Sequence, residues 1–230
     1  MAKPIRVIIL DDHQSIIDGY LYRLIKEPQI EVVATLTFGE DLEPALAMHP
    51  ADVLLLDVKV PNAPDESNPY PILHTMPKLL DIYPGLYILV ITMHNGAGLI
   101  RAVMEAGASG YLLKDDQAMI RDLGNVILAV ANGGIFLSQF AHQVLLKLGP
   151  GMESEQLSRK QLEALSLCAA HPNLTSAELS KKMRVSNSTV RNLLSSAYLH
   201  LGVQTRMAAV DKARKLGIIT LHPTDTTPRK

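Results

Sequence analysis

The sequence predicts a doubly wound α/β domain on a five-stranded parallel sheet, followed by a small all-α helix-turn-helix domain. Three observations carry this reading. Short runs of Val, Ile and Leu alternate with longer helix-like segments over the first 135 residues; only helical periodicity remains beyond Leu157; and the charges divide between the two parts. Residues 1–151 hold 10 Lys+Arg against 17 Asp+Glu, net −7, whereas residues 152–230 hold 12 against 6, net +6. An acidic module joined to a basic one points to a C-terminal partner rich in phosphate, such as nucleic acid.

The predicted strands are 5–10, 32–36, 53–56, 88–91 and 110–113. They are apolar on both parities, which suits strands covered by helices on both faces and hence a parallel sheet. Helices are predicted at 15–27, 39–48, 72–82, 97–106 and 117–132, and right-handed crossovers between them give three layers. Met76-Pro77 inside the third implies a kink or a late start. Further helices are predicted at 158–170, 175–183, 188–200 and 205–216. Ser158, Thr175 and Thr205 stand at their starts as capping residues, and Gly202 and Gly217 follow their ends. The short connection 184–187 makes the second and third of these a helix-turn-helix, with Leu162, Leu165, Leu179, Val190, Leu194 and Leu201 as core. The division expected is 1–135 for the first domain, 136–155 for a helix and linker, 156–220 for the second domain and 221–230 for a tail.

Composition removes several classes. With 47% hydrophobic and 20% charged residues the chain can bury a core and is not disordered. The single Cys168 excludes an internal disulfide framework and a Cys-rich zinc site, and is read as a small buried hydrophobe. Apolar runs fall far short of the roughly 20 residues that cross a bilayer, and residues 1–4 lack a signal peptide's apolar stretch, so a cytoplasmic protein without membrane contact is expected.

The residues just after the apolar runs carry the chemistry: Asp11 and Asp12, Asp57, Thr92 and Lys114. Ligand sites of doubly wound sheets lie outside the carboxyl ends of the strands, so these groups are expected to converge although they are far apart in sequence. Three carboxylates repel one another unless a cation intervenes, and an all-oxygen set suits Mg2+ better than zinc. A carboxylate beside that ion can attack a phosphoryl group, with Lys114 stabilising the charge, to give an aspartyl phosphate. Singly, each residue is equally a turn former, cap or solvated end; the joint occurrence makes the argument. His13 borders the same cleft.

Asp11-Asp12, Asp57 with Val58-Lys59-Val60-Pro61, Thr92 and Tyr111-Leu-Leu-Lys114 resemble the receiver domain of two-component response regulators, a flavodoxin-like fold, over residues 4–132. The resemblance implies that Asp57 is the phosphoacceptor for a sensor histidine kinase. It also implies that Asp11, Asp12, Asp57 and the Lys59 backbone carbonyl hold Mg2+, that Thr92 and Tyr111 switch, and that Lys114 pairs with the phosphate. The sequence departs from the family at residues 62–71, where a longer segment replaces the usual short turn, either as a lid or kinase-selecting element or as a tolerated surface loop.

Leu157-Ser-Arg-Lys-Gln-Leu, Thr175-Ser-Ala-Glu-Leu-Ser-Lys181, Val185-Ser-Asn-Ser-Thr-Val-Arg-Asn192 and Leu201-Gly-Val-Gln-Thr-Arg206 resemble the LuxR/NarL-type DNA-binding domain, residues 156–219. By position, Arg191, Asn192 and Ser195 are expected to face base edges, and Lys182, Ser186, Ser188, Thr189 and Arg206 to hold phosphates. Lys160 and Leu193 stand where the family usually has Glu and often has His. The reading is a transcriptional regulator, not an enzyme, switched by phosphorylation and acting as a homodimer on double-stranded DNA. The alternatives are a phosphorelay or partner-binding receiver without DNA output, a Mg2+-dependent phosphatase, and a regulator that acts without phosphorylation.

Overall fold

A computed structural model describes residues 3–66, 68–148 and 157–219. The linker expected at 148–155, apart from Leu148, and the tail after His222 lie outside the described residues. Five parallel strands, β1 (Ile5–Leu10), β2 (Ile30–Leu36), β3 (Val53–Leu56), β4 (Tyr87–Thr92) and β5 (Gly110–Leu113), stand in the order β2-β1-β3-β4-β5. A two-residue strand β6 (Phe136–Leu137) adds to the β5 edge, in parallel. Two residues are too few to show a period, so sequence pattern assigns them to the connection instead.

The alternation of the strands sorts the core into two layers. Val7, Ile9, Val53, Leu55, Leu89 and Ile91 pack beneath α1 (Gln14–Leu24) and α6 (Leu123–Ala131). Ile8, Leu10, Leu54, Leu56, Ile88 and Val90 pack on the other face, against α2 (Leu42–Met48), α3 (Ile72–Ile82) and α4 (Ala97–Glu105). The helix predicted at 39–48 opens with a 3-10 turn over Gly39–Asp41, and α3 runs unbroken through Pro77, so it does not start late. The single helix predicted at 117–132 is instead two, α5 (Gln117–Arg121) and α6, because Asp122 leaves helical geometry (φ −98°, ψ 20°) and turns its side chain to Asn125.

Helix α7 (Gln139–Leu148) packs on α4 and leads toward the second domain. There α8 (Arg159–Ala170), α9 (Ser176–Met183), α10 (Asn187–Leu201) and α11 (Arg206–Lys215) follow the expected caps. Ser158 with Gln161 and Thr175 with Glu178 form reciprocal capping boxes, and Thr205 accepts the Ala208 N–H. Of the expected core, Leu165, Leu179, Val190, Leu194 and Leu201 are buried and Leu162 packs partly against them. This core is continuous with the α3/α4 face of the first domain, so the two domains share one apolar interior.

Candidate functional site

The strand ends converge as expected. Asp11, Asp57 and Thr92 are all buried, and the Lys114 ammonium lies 2.6 Å from Asp11 Oδ2 and 2.7 Å from Asp57 Oδ2. One cation thus bridges two carboxylates separated by 46 residues in sequence. Burial pulls the Lys114 pKa down, but hydrogen bonds to Asp11 and Asp57 outweigh it and leave the ammonium more basic than usual. Burial pushes the Asp11 carboxyl up, against the hydrogen bonds from Lys114 and from the His13 N–H at 3.0 Å. The Lys59 N–H reaches Asp57 Oδ1 at 3.3 Å, so the chain after β3 folds back over the phosphoacceptor candidate.

Asp12 is more exposed than Asp11 and meets His13 Nδ1 at 2.7 Å. Ligand atoms of Asp11, Asp12 and His13 lie within 4.8 Å of one another. The Asp11 and Asp12 carboxylates of this group are hard oxygen donors of the kind Mg2+ prefers. Thr92 Oγ1 accepts the His94 N–H at 3.4 Å, and Tyr111, fully buried, donates its hydroxyl to the His94 carbonyl at 2.7 Å. Burial, and then the charge of Asp57, pushes the Tyr111 phenol up to about 12. Both switch candidates therefore hold the same short loop between β4 and α4.

Residues 62–66 and 68–71 fold onto the domain. Pro61 and Pro69 form an antiparallel bridge, and Pro61 and Asn62 carbonyls accept the Gly39 and Glu40 N–H groups. A Cβ at Gly39 would sit 2.2 Å from the Tyr70 ring, so this closure needs glycine there. Tyr70 and Lys59 share a cavity of about 560 Å³ with His94 and Leu99.

The second domain presents α10 to the opposite end of the sheet. Asn187 Nδ2 donates to the Leu80 carbonyl at the end of α3 (2.8 Å), and the Arg191 guanidinium donates to the Pro84 carbonyl (3.1 Å) and Ser109 Oγ (3.4 Å). Its centre stands 4.5 Å from the Tyr87 ring centroid at the start of β4. A Cβ at Gly107 (φ 99°) would lie 3.1 Å from Ser188, and the Ile135 N–H donates to the Gln204 carbonyl at 2.9 Å. Among the described residues no carboxylate pairs with Arg191; burial lowers its pKa to about 10, so it stays cationic at neutral pH.

Of the residues expected at DNA, Arg191, Ser188 and Ser195 are buried, Asn192 and Thr189 are half-buried, and Lys182 and Ser186 are exposed. Ser186 caps α10 and shares its hydroxyl with Ser188 and Thr189. Arg206, half-buried, donates to the Leu174 carbonyl within its own domain. Sequence reasoning missed Asn187, Tyr87 and Ser109 as members of this interface. The one available signal was an aromatic at the head of the otherwise aliphatic run Tyr87-Ile-Leu-Val-Ile.

Residues 7–124 match the response regulator receiver domain. The chain belongs to the response regulators. It is similar along nearly its whole length to transcriptional regulators: 27% identical to DegU of Brevibacillus brevis (96% of this chain, 97% of that one) and 30% identical to RcsB of Salmonella typhimurium (95% and 97%). A solved structure of Salmonella enterica serovar Typhimurium RcsB, bound to a promoter with the phosphomimetic BeF3−, superposes with a TM-score of 0.54 at 26% identity, covering 92% of this chain and 99% of that one. No helix among the described residues is long and apolar enough to cross a membrane.

Proposed function

We propose that this response regulator is held closed by its own receiver and released by phosphorylation of Asp57. A sensor histidine kinase donates the phosphoryl group. Asp11, Asp12, Asp57 and the Lys59 carbonyl would hold Mg2+, and the bound ion would neutralise charge on the transferring group. Lys114 turns from Asp11 to the new phosphoryl oxygens, Thr92 follows them, and Tyr111 moves with the loop it holds at His94. Helix α4 runs from that loop to Glu105, two residues short of Gly107, so displacement at one end loosens the packing against Ser188 at the other. The freed second domain (156–220) then reads double-stranded DNA as a homodimer in the cytoplasm, Arg191, Asn192 and Ser195 facing bases and Lys182, Ser186, Ser188, Thr189 and Arg206 facing phosphates. The segment 1–135 is the receiver, and 136–155 joins the two. The protein is a switch, not a turnover enzyme.

The observation that carries this reading is the burial of Arg191 against the receiver, because the guanidinium cannot serve Tyr87 and a guanine edge at once. The test is selection of DNA sequences with and without acetyl phosphate and Mg2+, on wild type and Asp57→Ala. Phosphorylated wild type should enrich one motif with steep salt dependence, and Asp57→Ala should show neither the mass gain nor the enrichment. Equal enrichment by both proteins would refute phosphorylation control.

A further inference from the structure

Among the described residues, the Tyr20 hydroxyl is a buried side-chain polar atom with no hydrogen-bond partner. Tyr20 lies on the covered face of α1 between Ile17 and Leu24, only 4% exposed. An orphaned buried hydroxyl costs about 1–3 kcal/mol, and Phe would fill the same space without that cost. The oxygen therefore calls for a role.

Its placement supplies one. Asp11 shares its parity with Val7 and Ile9, and Asp57 with Val53 and Leu55; these four apolar residues face the layer that Ile17, Tyr20 and Leu24 cover. Helix α1 starts at Gln14, directly after the acidic pair, and helical side chains lean toward the N-terminus, which carries the Tyr20 ring up toward the strand ends. Burial, then the negative charges of Asp11 and Asp57, raises the phenol pKa, so the oxygen remains a protonated donor. Asp11 is 2% exposed and takes its shortest contact, 2.6 Å, from Lys114. Should Lys114 turn away from Oδ2, the contacts left on this buried carboxylate, the His13 N–H at 3.0 Å and the exposed His13 Nδ1 at 3.5 Å, both fall on the other oxygen, Oδ1.

We propose that Tyr20 is a positioning residue for the acidic cluster: its hydroxyl is a donor held in reserve on the buried side, and it takes over the Asp11 oxygen that Lys114 releases when Asp57 is phosphorylated. This rests on the phosphoacceptor reading above. The test is Tyr20→Phe in the full chain, comparing the melting temperature without metal, the Mg2+ midpoint of the melting shift, and the lifetime of the aspartyl phosphate formed from acetyl phosphate. Without metal or phosphodonor the variant should melt at or above wild type, because an unpaired hydroxyl has gone. Its Mg2+ midpoint without phosphodonor should stay within about twofold of wild type, because Lys114 still holds Asp11 there, whereas its phosphoryl lifetime should change by about tenfold, the usual scale for groups that orient metal ligands. A lifetime within about twofold of wild type would leave Tyr20 a core ring and overturn the inference, as would metal-free melting well below wild type or a weakened midpoint without phosphodonor, either of which means the hydroxyl already has a partner. If wild type itself takes up no phosphoryl group, the phosphoacceptor reading falls first and this inference with it.

Discussion

The two ends of the receiver sheet treat buried charge in opposite ways. At the carboxyl end Asp11 and Asp57 share one Lys114 ammonium and carry more negative charge than their one buried partner cancels. At the amino end Arg191 sits buried with the Pro84 carbonyl, the Ser109 hydroxyl and the Tyr87 face, and among the described residues it meets no anion. Arg6 at the same end differs again: it meets Asp52 through two side-chain hydrogen bonds, at 2.9 and 3.1 Å. A buried ion without its counter-ion is expensive to keep, so such a site is cheap to change: the acidic end invites a cation, and the Arg191 end favours release into water. Paired Arg6 and Asp52 have no such tendency and simply fasten β1 to the turn before β3.

Three changes sharpen that contrast, from the largest effect to the smallest. Lys114→Met leaves two buried carboxylates with no ammonium and should cost about 3 kcal/mol, the scale for breaking one side of a buried pair. For a chain of this size that is roughly 10 °C in melting temperature, partly recovered by added Mg2+. Tyr87→Leu removes the aromatic face beneath Arg191 without touching a residue expected at DNA. Loss of about 1 kcal/mol of cation–π attraction should raise DNA affinity of the unphosphorylated protein about fivefold, read by titration at fixed salt. An unchanged affinity would mean that Arg191 does not hold the second domain closed. The smallest effect concerns Asp52. Burial opposes its ionisation, but hydrogen bonds from Arg6 win and hold its pKa below the ordinary value, so its stabilisation is present above about pH 4 and is lost as pH falls through the lowered value. Asp52→Asn should flatten that acid limb of the melting curve by less than about 1 kcal/mol, since the pair is partly solvated.

The site residues were legible because each stands at a place that chain direction alone defines. A hydrophobic run followed by Asp57, Thr92 or Lys114 says where a strand stops, and parallel strands stop on the same side. Three local features were not legible in the same way. Strand β6 is too short for a period, the break at Asp122 lies inside an apolar stretch of good helical spacing, and the 3-10 turn at Gly39 depends on Tyr70, thirty-one residues away. Arg191 was legible as a residue suited to DNA but not as one tucked against Tyr87, because nothing local marks the partner of a long side chain.

Sequence by itself determined the order of strands and helices, the helix caps of the second domain and the set of groups that meet at the carboxyl end, since all of these follow from periodicity and chain direction. Only the tertiary structure decided that α10 faces the receiver, that the two domains share one core, and that the buried Tyr20 hydroxyl has no hydrogen-bond partner among the described residues. Those outcomes depend on which surfaces exclude water together, a property of pairs of elements distant in sequence that no single stretch of residues encodes.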